Sequence, residues 1–409
     1  KKVEMSQSGN AAKKRDIFEA LFNERRAKFE NNGILSTTNN AVDDVRKPPP
    51  KKRKLNEEIN DKISHAKIES KWECKICTFH NKMDDIKCEI CQTVRDFSEK
   101  IITNNESKDD IKIEIKSDDH VCKNKVEIKV DNTVKEFVFI TWNVWFNEEL
   151  MLDERINEIG KIISEKKCDI LCLQEVTPEI LRLITESEWF KNDKWRYTRY
   201  QLERLRYFTL LLSKFEFIGD FQVIPCMDTV MERFIIIAPL LIGDSIITVA
   251  TTHLESPIRH NMEDKSALFS KERVKQFDQM IGILNKYENV IIGADFNWCD
   301  KTKNHPRDGD MNDRLNDKWQ DCWIKLHPKK PGYTYDMKLN DMLYGWLRSR
   351  NDRILMKGNG FALKSIHIIG TKPIGNLTYK KPIKKGNEMK TLKVLPSDHF
   401  GLCAVFTLL

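Results

Sequence analysis

The sequence predicts a layered α/β sandwich over residues 136–409, carried behind a small cysteine-rich module and a long polar tail. Three observations support that division. Apolar, β-branched runs alternate with amphipathic segments only after residue 136. Four paired cysteines fall within residues 74–91, a stretch too short to bury a core. Before residue 71 the chain is charged and interrupted by prolines.

The chain of 409 residues is 40% hydrophobic and 32% charged, enough for one large globular domain with appendages. It contains no run of 18 apolar residues and opens with no signal-peptide pattern, so the expected setting is intracellular. The net charge is +7, but residues 1–71 hold 17 Lys and Arg against 11 Asp and Glu, which leaves +1 for everything after them. The basicity is therefore expected to belong to the tail, and it gives little reason to read the main domain as a polyanion binder.

Residues 1–70 read as a mostly disordered tail. Ile17, Phe18, Leu21, Phe22 and Phe29 share a helical face, which suits either a nascent solvated helix or a short docking helix. Lys47-Pro-Pro-Pro-Lys-Lys-Arg-Lys-Leu55 keeps a basic cluster exposed and reads as a nuclear import signal. The expected compartment is the nucleus.

Residues 71–95 carry Cys74-x2-Cys77-x10-Cys88-x2-Cys91. Two such knuckles close a tetrahedral thiolate shell around Zn²⁺ with no open position, so the metal is structural and supplies much of the folding free energy. Trp72, Thr78, Phe79, His80 and Asn81 among these cysteines resemble the Ran-binding-protein type of zinc finger. Some members of that family bind single-stranded RNA and others ubiquitin; the Thr78-Phe79 pair with Ile90 resembles the ubiquitin binders. An apolar Thr-Phe-Ile patch suits a protein surface, whereas base stacking calls for Arg or Trp.

Residues 96–135 are assigned to a linker. Its alternations at 111–115 and 126–130 suit a decorating strand, and a short apolar run beside Asp118 and Asp119 is of the SUMO-interacting kind.

In the last domain, strands are expected at 137–141, 169–174, 208–212, 234–238, 246–252, 290–294 and 402–407. Helices are expected through Ile156, Ile159 and Ile163 and over 271–287. Polar groups gather where the strands stop: Asn143, Glu175, His253, Asp295, Asn297, Asp398 and His399. Strand ends are where an α/β scaffold assembles a site. One carboxylate with an amide oxygen and waters suits Mg²⁺, which favours few protein ligands; Glu175 with Asn143 fits that need. Asp295 with Asn297 suits activation of a water, and a histidine fixed by an Asp suits donation to a phosphate oxygen.

Thr141-Trp-Asn143, Leu173-Gln-Glu-Val176, Thr252-His-Leu-Glu-Ser256, Asp295-x-Asn297 and Pro396-Ser-Asp-His399 together resemble the endonuclease/exonuclease/phosphatase superfamily. The His253-Leu-Glu-Ser256 and Tyr207-Phe-Thr209 runs narrow the likeness to its branch that removes tyrosine adducts of topoisomerase II from DNA 5′ ends, and Met231-x-Arg233, Tyr333-Thr-x-Asp336 and Asp352-Arg-Ile354 match that branch as well. The resemblance implies a phosphodiesterase with Glu175 and Asn143 at Mg²⁺, or Mn²⁺ in its place. It implies Asp295 with Asn297 activating water, and His399, oriented by Asp352, on the scissile phosphate. It further places His253 and Ser256 at the phosphate, with Arg233, Tyr207 and Tyr335 along the DNA. Departures fall on substrate contacts: Val144-Trp-Phe146 replaces the turn of many animal members, no Arg stands near Cys299, and Tyr335 takes a Trp position. The competing expectations are another enzyme of the superfamily, such as an abasic-site endonuclease or a deadenylase, and an idle ubiquitin-dependent adaptor.

Overall fold

The computed structural model describes residues 133–409, except 200–204, 258–268, 299–308, 344 and 383–388, together with five short strands before residue 130. Those strands are β1 (Lys71–Glu73), β2 (His80–Lys82), β3 (Lys100–Asn105), β4 (Asp110–Lys116) and β5 (Val126–Lys129). β1 pairs antiparallel with β2, and β3, β4 and β5 form an antiparallel sheet within the segment assigned to a linker. The tail helix, the import signal, the four paired cysteines, Thr78, Phe79, Ile90 and the Asp118-Asp119 segment lie outside the described residues.

The main domain is built from two six-stranded sheets. The first contains β6 (Glu136–Asn143), β7 (Ile170–Val176), β8 (Arg196–Tyr197), β9 (Phe208–Ser213), β18 (Phe361–Ile369) and β21 (Gly401–Leu408), in the order β18-β21-β6-β7-β9-β8. The second contains β10 (Gln222–Pro225), β11 (Phe234–Ile242), β12 (Ser245–Thr252), β13 (Val290–Asp295), β14 (Trp319–Asp321) and β17 (Asp352–Lys357), in the order β10-β11-β12-β13-β17-β14. Each sheet has one parallel pair, β6 with β7 and β12 with β13. The connection between each pair holds a helix, α1 (Leu152–Glu165) or α4 (Ser270–Leu284). Shorter helices are α2 (Pro178–Glu186), α3 (Glu188–Asn192) and α5 (Cys322–Leu326).

Strand periodicity explains the layering. Along β6, Phe137 and Phe139 join Leu211, Val249, Ile291 and Phe406 in an apolar cluster shared by the two sheets. Ile140 and Trp142 point the other way and pack with Ile156, Ile159 and Ile163 of α1. Phe277, Met280 and Leu284 of α4 cover the outer face of the second sheet in the same manner. The order of layers is therefore helix, sheet, sheet, helix. Gly293 lets the sheets approach, because a Cβ there would meet the Phe139 ring at 2.5 Å. Near the site end of the sheets, the Gln174 amide donates to Thr141 Oγ1 at 3.3 Å and to Thr251 Oγ1 at 3.2 Å, tying one sheet to the other.

Two boundaries differ from the sequence expectation in a useful way. β6 runs two residues further and ends on Asn143, while β7 continues through Glu175 to Val176 with a shifted register after Leu173. Glu175 adopts φ 61°, a left-handed value rare for a residue with a Cβ, so an irregularity in the strand aims its carboxylate.

Candidate active site

The site forms where β6, β7, β12, β13 and β17 end together. The Asn143 amide donates to Asp295 Oδ2 at 2.9 Å across the gap between the sheets, and its oxygen accepts the Trp145 N–H at 3.0 Å. The same side chain is among the groups that favour the ionised Glu175 carboxyl, so one buried amide acts on both carboxylates. Phe146 N donates to Glu175 Oε2 at 3.1 Å. Trp145 and Asn297 share the left-handed conformation, at φ 63° and 50°. Such residues cost about 1–3 kcal/mol each and persist where the surrounding structure over-determines them.

Asp295 and Asp352 are cross-strand partners, which places two acids side by side at the ends of β13 and β17. His399 Nδ1 donates to Asp352 Oδ2 at 2.7 Å and lies 4.0 Å from Asp295 Oδ2. Burial alone would favour the neutral imidazole, but Asp352 and Asp295 outweigh it and raise the His399 pKa well above the ordinary value. The two acids thus favour the protonated imidazole, with Nδ1 committed to Asp352. Trp142 Nε1 fixes the same residue by donating to the His399 carbonyl at 3.0 Å, and the Tyr335 ring meets the imidazole edge to face at 5.0 Å.

His253 behaves in the opposite way. Burial and the Arg233 guanidinium push its pKa well below the ordinary value. Arg233 Nη1 sits 3.0 Å from Nδ1 and the Asn297 amide nitrogen 2.9 Å from Nε2, so both ring nitrogens face donors, which disfavours the doubly protonated ring. Nε2 faces Asp295 Oδ2 at 3.4 Å and the Asn297 amide at 2.9 Å. For Asp295, burial pushes upward; His253, His399, the Asn143 amide and the Asn297 N–H outweigh it and hold the carboxyl below the ordinary range. An ionised, hydrogen-bonded Asp295 is a group ready to receive a proton.

The Glu175 carboxyl is pushed up to about 7, first by burial and then by Asp398. Asp398 is itself raised, again first by burial. Two half-buried acids, the second of which resists ionisation of the first, form an oxygen donor set short of positive charge, which fits a hard divalent cation. The nearby Arg155 guanidinium offsets only part of that charge; burial lowers it to about 10. Arg155 donates to the carbonyls of Val144, Trp145 and Asn147 at 3.3, 3.0 and 3.2 Å, so it also pins the loop whose Phe146 N–H holds Glu175. Asp295, Asp352 and His399 also lie close enough to hold a metal ion. The hydrogen bond between His399 and Asp352 makes that trio a proton-holding group first.

Of the residues singled out by sequence, Asn143, Glu175, His253, Asp295, Asn297, Asp352 and His399 converge here. Tyr207 stacks on Phe146 at 5.0 Å between centroids, and the Arg233 guanidinium lies 5.3 Å from the Tyr207 ring centroid. Ser256 is half-buried just beyond His253, and no hydrogen bond among the described residues joins it to the cluster. Arg155 and Trp142 were missed as site residues, and Asp398, named among the polar groups at strand ends, was given no role. Asp398 stands next to His399 in the quoted Pro-Ser-Asp-His run and carried the available signal; Arg155 had none, because an Arg near the start of a helix reads as a surface residue. Glu255 was also passed over. It is fully buried, and its Oε1 accepts from Thr229 Oγ1, Val230 N and Met231 N, fixing the loop that delivers Arg233.

Residues 140–399 match the Endonuclease/Exonuclease/phosphatase family. The chain belongs to the endonuclease/exonuclease/phosphatase family. Its members are hydrolases of phosphate esters, and a family of that chemistry uses a divalent metal, for which Glu175 and Asp398 provide the fitting donors. Residues 67–96 separately match the Zn-finger in Ran binding protein and others. Among curated relatives, tyrosyl-DNA phosphodiesterase 2 of Xenopus laevis is 27% identical over 316 residues, spanning 73% of this chain and 75% of that protein. Tyrosyl-DNA phosphodiesterase 2 of Mus musculus is 26% identical over 274 residues, 64% of each chain. The 5′-tyrosyl-DNA phosphodiesterase of Caenorhabditis briggsae is 23% identical over 286 residues, 66% of this chain and 69% of that one. The crystal structure of D. rerio TDP2 complexed with single-strand DNA product shares the fold, with TM-score 0.52 and 21% identity over 66% of this chain and 99% of that one.

Proposed function

We propose that this chain hydrolyses 5′-phosphotyrosyl bonds in DNA with Mg²⁺, removing the covalent adducts that topoisomerase II leaves on DNA ends in the nucleus. The observation that carries the reading is the placement of Asp295 and His399 4.0 Å apart, their pKa values pushed in opposite directions, with Asn143 donating to Asp295 and acting on Glu175. The names of the curated relatives supply the substrate.

In this reading Asp295, oriented by Asn143 and Asn297, takes a proton from the attacking water. His399, its Nδ1 held by Asp352, presents Nε2 as a donor to a non-bridging phosphate oxygen where charge builds up. Neutral His253 lies beside Asp295, its Nε2 3.4 Å from Oδ2. Glu175 and Asp398, with Asn143 beside them, would hold Mg²⁺, which supplies charge neutralisation at the phosphate. A tyrosine phenolate, with a pKa of roughly 10, leaves readily, so a site without a dedicated general acid is adequate. The Tyr207, Phe146 and Arg233 group offers an aromatic and cationic wall for the substrate. Cys74, Cys77, Cys88 and Cys91 would hold Zn²⁺, and Thr78, Phe79 and Ile90 would take ubiquitin on a marked adduct.

The test is Mg²⁺-dependent release of tyrosine from a 5′-phosphotyrosyl oligonucleotide, with an abasic-site duplex in parallel. The expected result is cleavage of the first substrate alone, reduced by ~10²–10³-fold or more in Glu175→Ala. Cleavage of the abasic duplex alone would move the assignment elsewhere in the family.

A further inference from the structure

The near-neutral balance after residue 71 conceals an island. Residues 371–397 contain seven lysines and one glutamate, a net +6, which leaves the rest of residues 72–409 at −5. The expectation that basicity belongs to the tail is therefore incomplete, since a second concentration of it sits inside the main domain.

Within the island, β19 (Thr378–Pro382) pairs antiparallel with β20 (Met389–Lys393) as a hairpin. Its register gives the two faces different tasks. On one, Tyr379 opposes Leu392, and both pack into a small cluster with Met342, Val394, Leu395 and Phe400. On the other, Lys380 opposes Thr391 and Lys393 opposes Thr378, all four exposed. Lys380 and Lys393 are diagonal neighbours there, about 7–8 Å apart at the backbone. Further out on the packed face Lys381 lies directly opposite Lys390, a like-charge pair that weakens a hairpin unless something else uses it. Among the described residues, no carboxylate pairs with Lys380, Lys390 or Lys393.

The hairpin is also tied to the active site. Lys381 Nζ and the Tyr379 hydroxyl both donate to the Met342 carbonyl, at 2.9 and 3.3 Å. β20 leads straight into Pro396-Ser-Asp-His399, where Ser397 Oγ donates to the Asn143 carbonyl at 2.6 Å. The six residues from Lys393 to His399 reach at most about 20 Å. At roughly 3.4 Å per nucleotide of a duplex strand, that distance is about six nucleotides. The exposed face carries Thr378, Lys380, Thr391 and Lys393, with Met389 beyond them and no aromatic ring, which suits phosphates and offers no stacking platform for bases.

We propose that the β19–β20 hairpin is a second nucleic-acid contact, gripping the phosphodiester backbone of the DNA within a few nucleotides of the bond that is cut. The inference deepens the reading of the site as a DNA-end hydrolase and rests on it for the identity of the polyanion. The grip is independent of sequence and sensitive to salt.

The test is a Lys380→Gln, Lys390→Gln, Lys393→Gln triple variant of the full chain, which leaves the packed Tyr379 and Leu392 in place. Binding of a fluorescein-labelled 20-base-pair duplex, followed by anisotropy against KCl, needs no turnover. The slope of log affinity against log salt is expected to fall by about 0.9 for each lysine that meets a phosphate. The affinity at 0.1 M salt should drop by ~10-fold or more, and the matching triple arginine variant should restore both. In parallel, KM should rise for a long 5′-phosphotyrosyl duplex and stay unchanged for a 5′-phosphotyrosyl dinucleotide too short to reach the hairpin. An unchanged salt slope overturns the inference and leaves an acidic protein surface as the hairpin's partner. An equal loss on the dinucleotide also overturns it, because the lysines would then act at the reacting centre. Weakened duplex binding by a chain that cleaves neither substrate would uphold the hairpin's role and sink the hydrolase reading instead.

Discussion

Replacing Asp352 with Asn removes one negative charge from the centre of the site while keeping its shape nearly constant. Asp352 is fully buried and accepts from His399 Nδ1 at 2.7 Å. Two unit charges ~4 Å apart in an effective dielectric of ~20 attract by about 4 kcal/mol, an upper bound on what the substitution removes. Part of that attraction survives, because Asp295 Oδ2 lies 4.0 Å from the same nitrogen. The His399 pKa is raised in the folded protein, so the donor form is complete at low pH and is lost as pH rises through the folded value. Removing the Asp352 charge lowers that value, and the alkaline limb of the kcat profile should move toward lower pH. At neutral pH kcat on a short 5′-phosphotyrosyl oligonucleotide should fall by ~10²–10³-fold with little change in KM, as for loss of one preorganised donor. The same linkage applies to stability: a raised folded pKa stabilises fully below the unfolded value, and that contribution disappears as pH climbs through the folded one. Steady-state kinetics from pH 5 to 9, with urea melts at the same pH values, would report both effects. A variant with reduced kcat but the alkaline limb of the wild type would refute the reasoning, since His399 could not then be the titrating donor.

Two further outcomes follow from the same structure. Arg155→Met should cost ~3 kcal/mol or more in a denaturant melt, because three loop carbonyls lose a charged donor, and Arg155→Lys should recover little, since an ammonium cannot reproduce the planar fork. Phe79→Ala should weaken ubiquitin binding, read by titration calorimetry, while leaving hydrolysis of a dinucleotide substrate unchanged; parallel loss of both would argue against separate modules.

Much of the fold could be read from hydrophobic periodicity, because both sheets have one face on the shared core and one under a helix. The runs that became β6, β7, β9, β11, β12, β13 and β21 are apolar over most of their length. β17 and β18 escaped notice because Asp352, Arg353, Lys364 and His367 interrupt their pattern, and the burial of Asp352 and Arg353 depends on partners that no window of sequence contains. The site was legible as residue types at strand ends. Its division of labour was not: two histidines of equal standing in the sequence are driven one toward the cation and one toward the neutral ring, according to whether an acid or an arginine lies against them. The hairpin was hidden because net charge averages over a chain, whereas a phosphate backbone meets it locally.

The two parallel strand pairs with their helices have one more consequence. Asn143 and Glu175 belong to one sheet, Asp295 and Asp352 to the other, and neither sheet holds a complete set of reacting groups. A nascent chain emerging as far as β9 carries only half of the centre, and a chain whose sheets have parted carries two useless halves. Cutting ability therefore arrives with the final docking step and departs with the first separation, so a partly assembled copy poses no hazard to the nucleic acid around it.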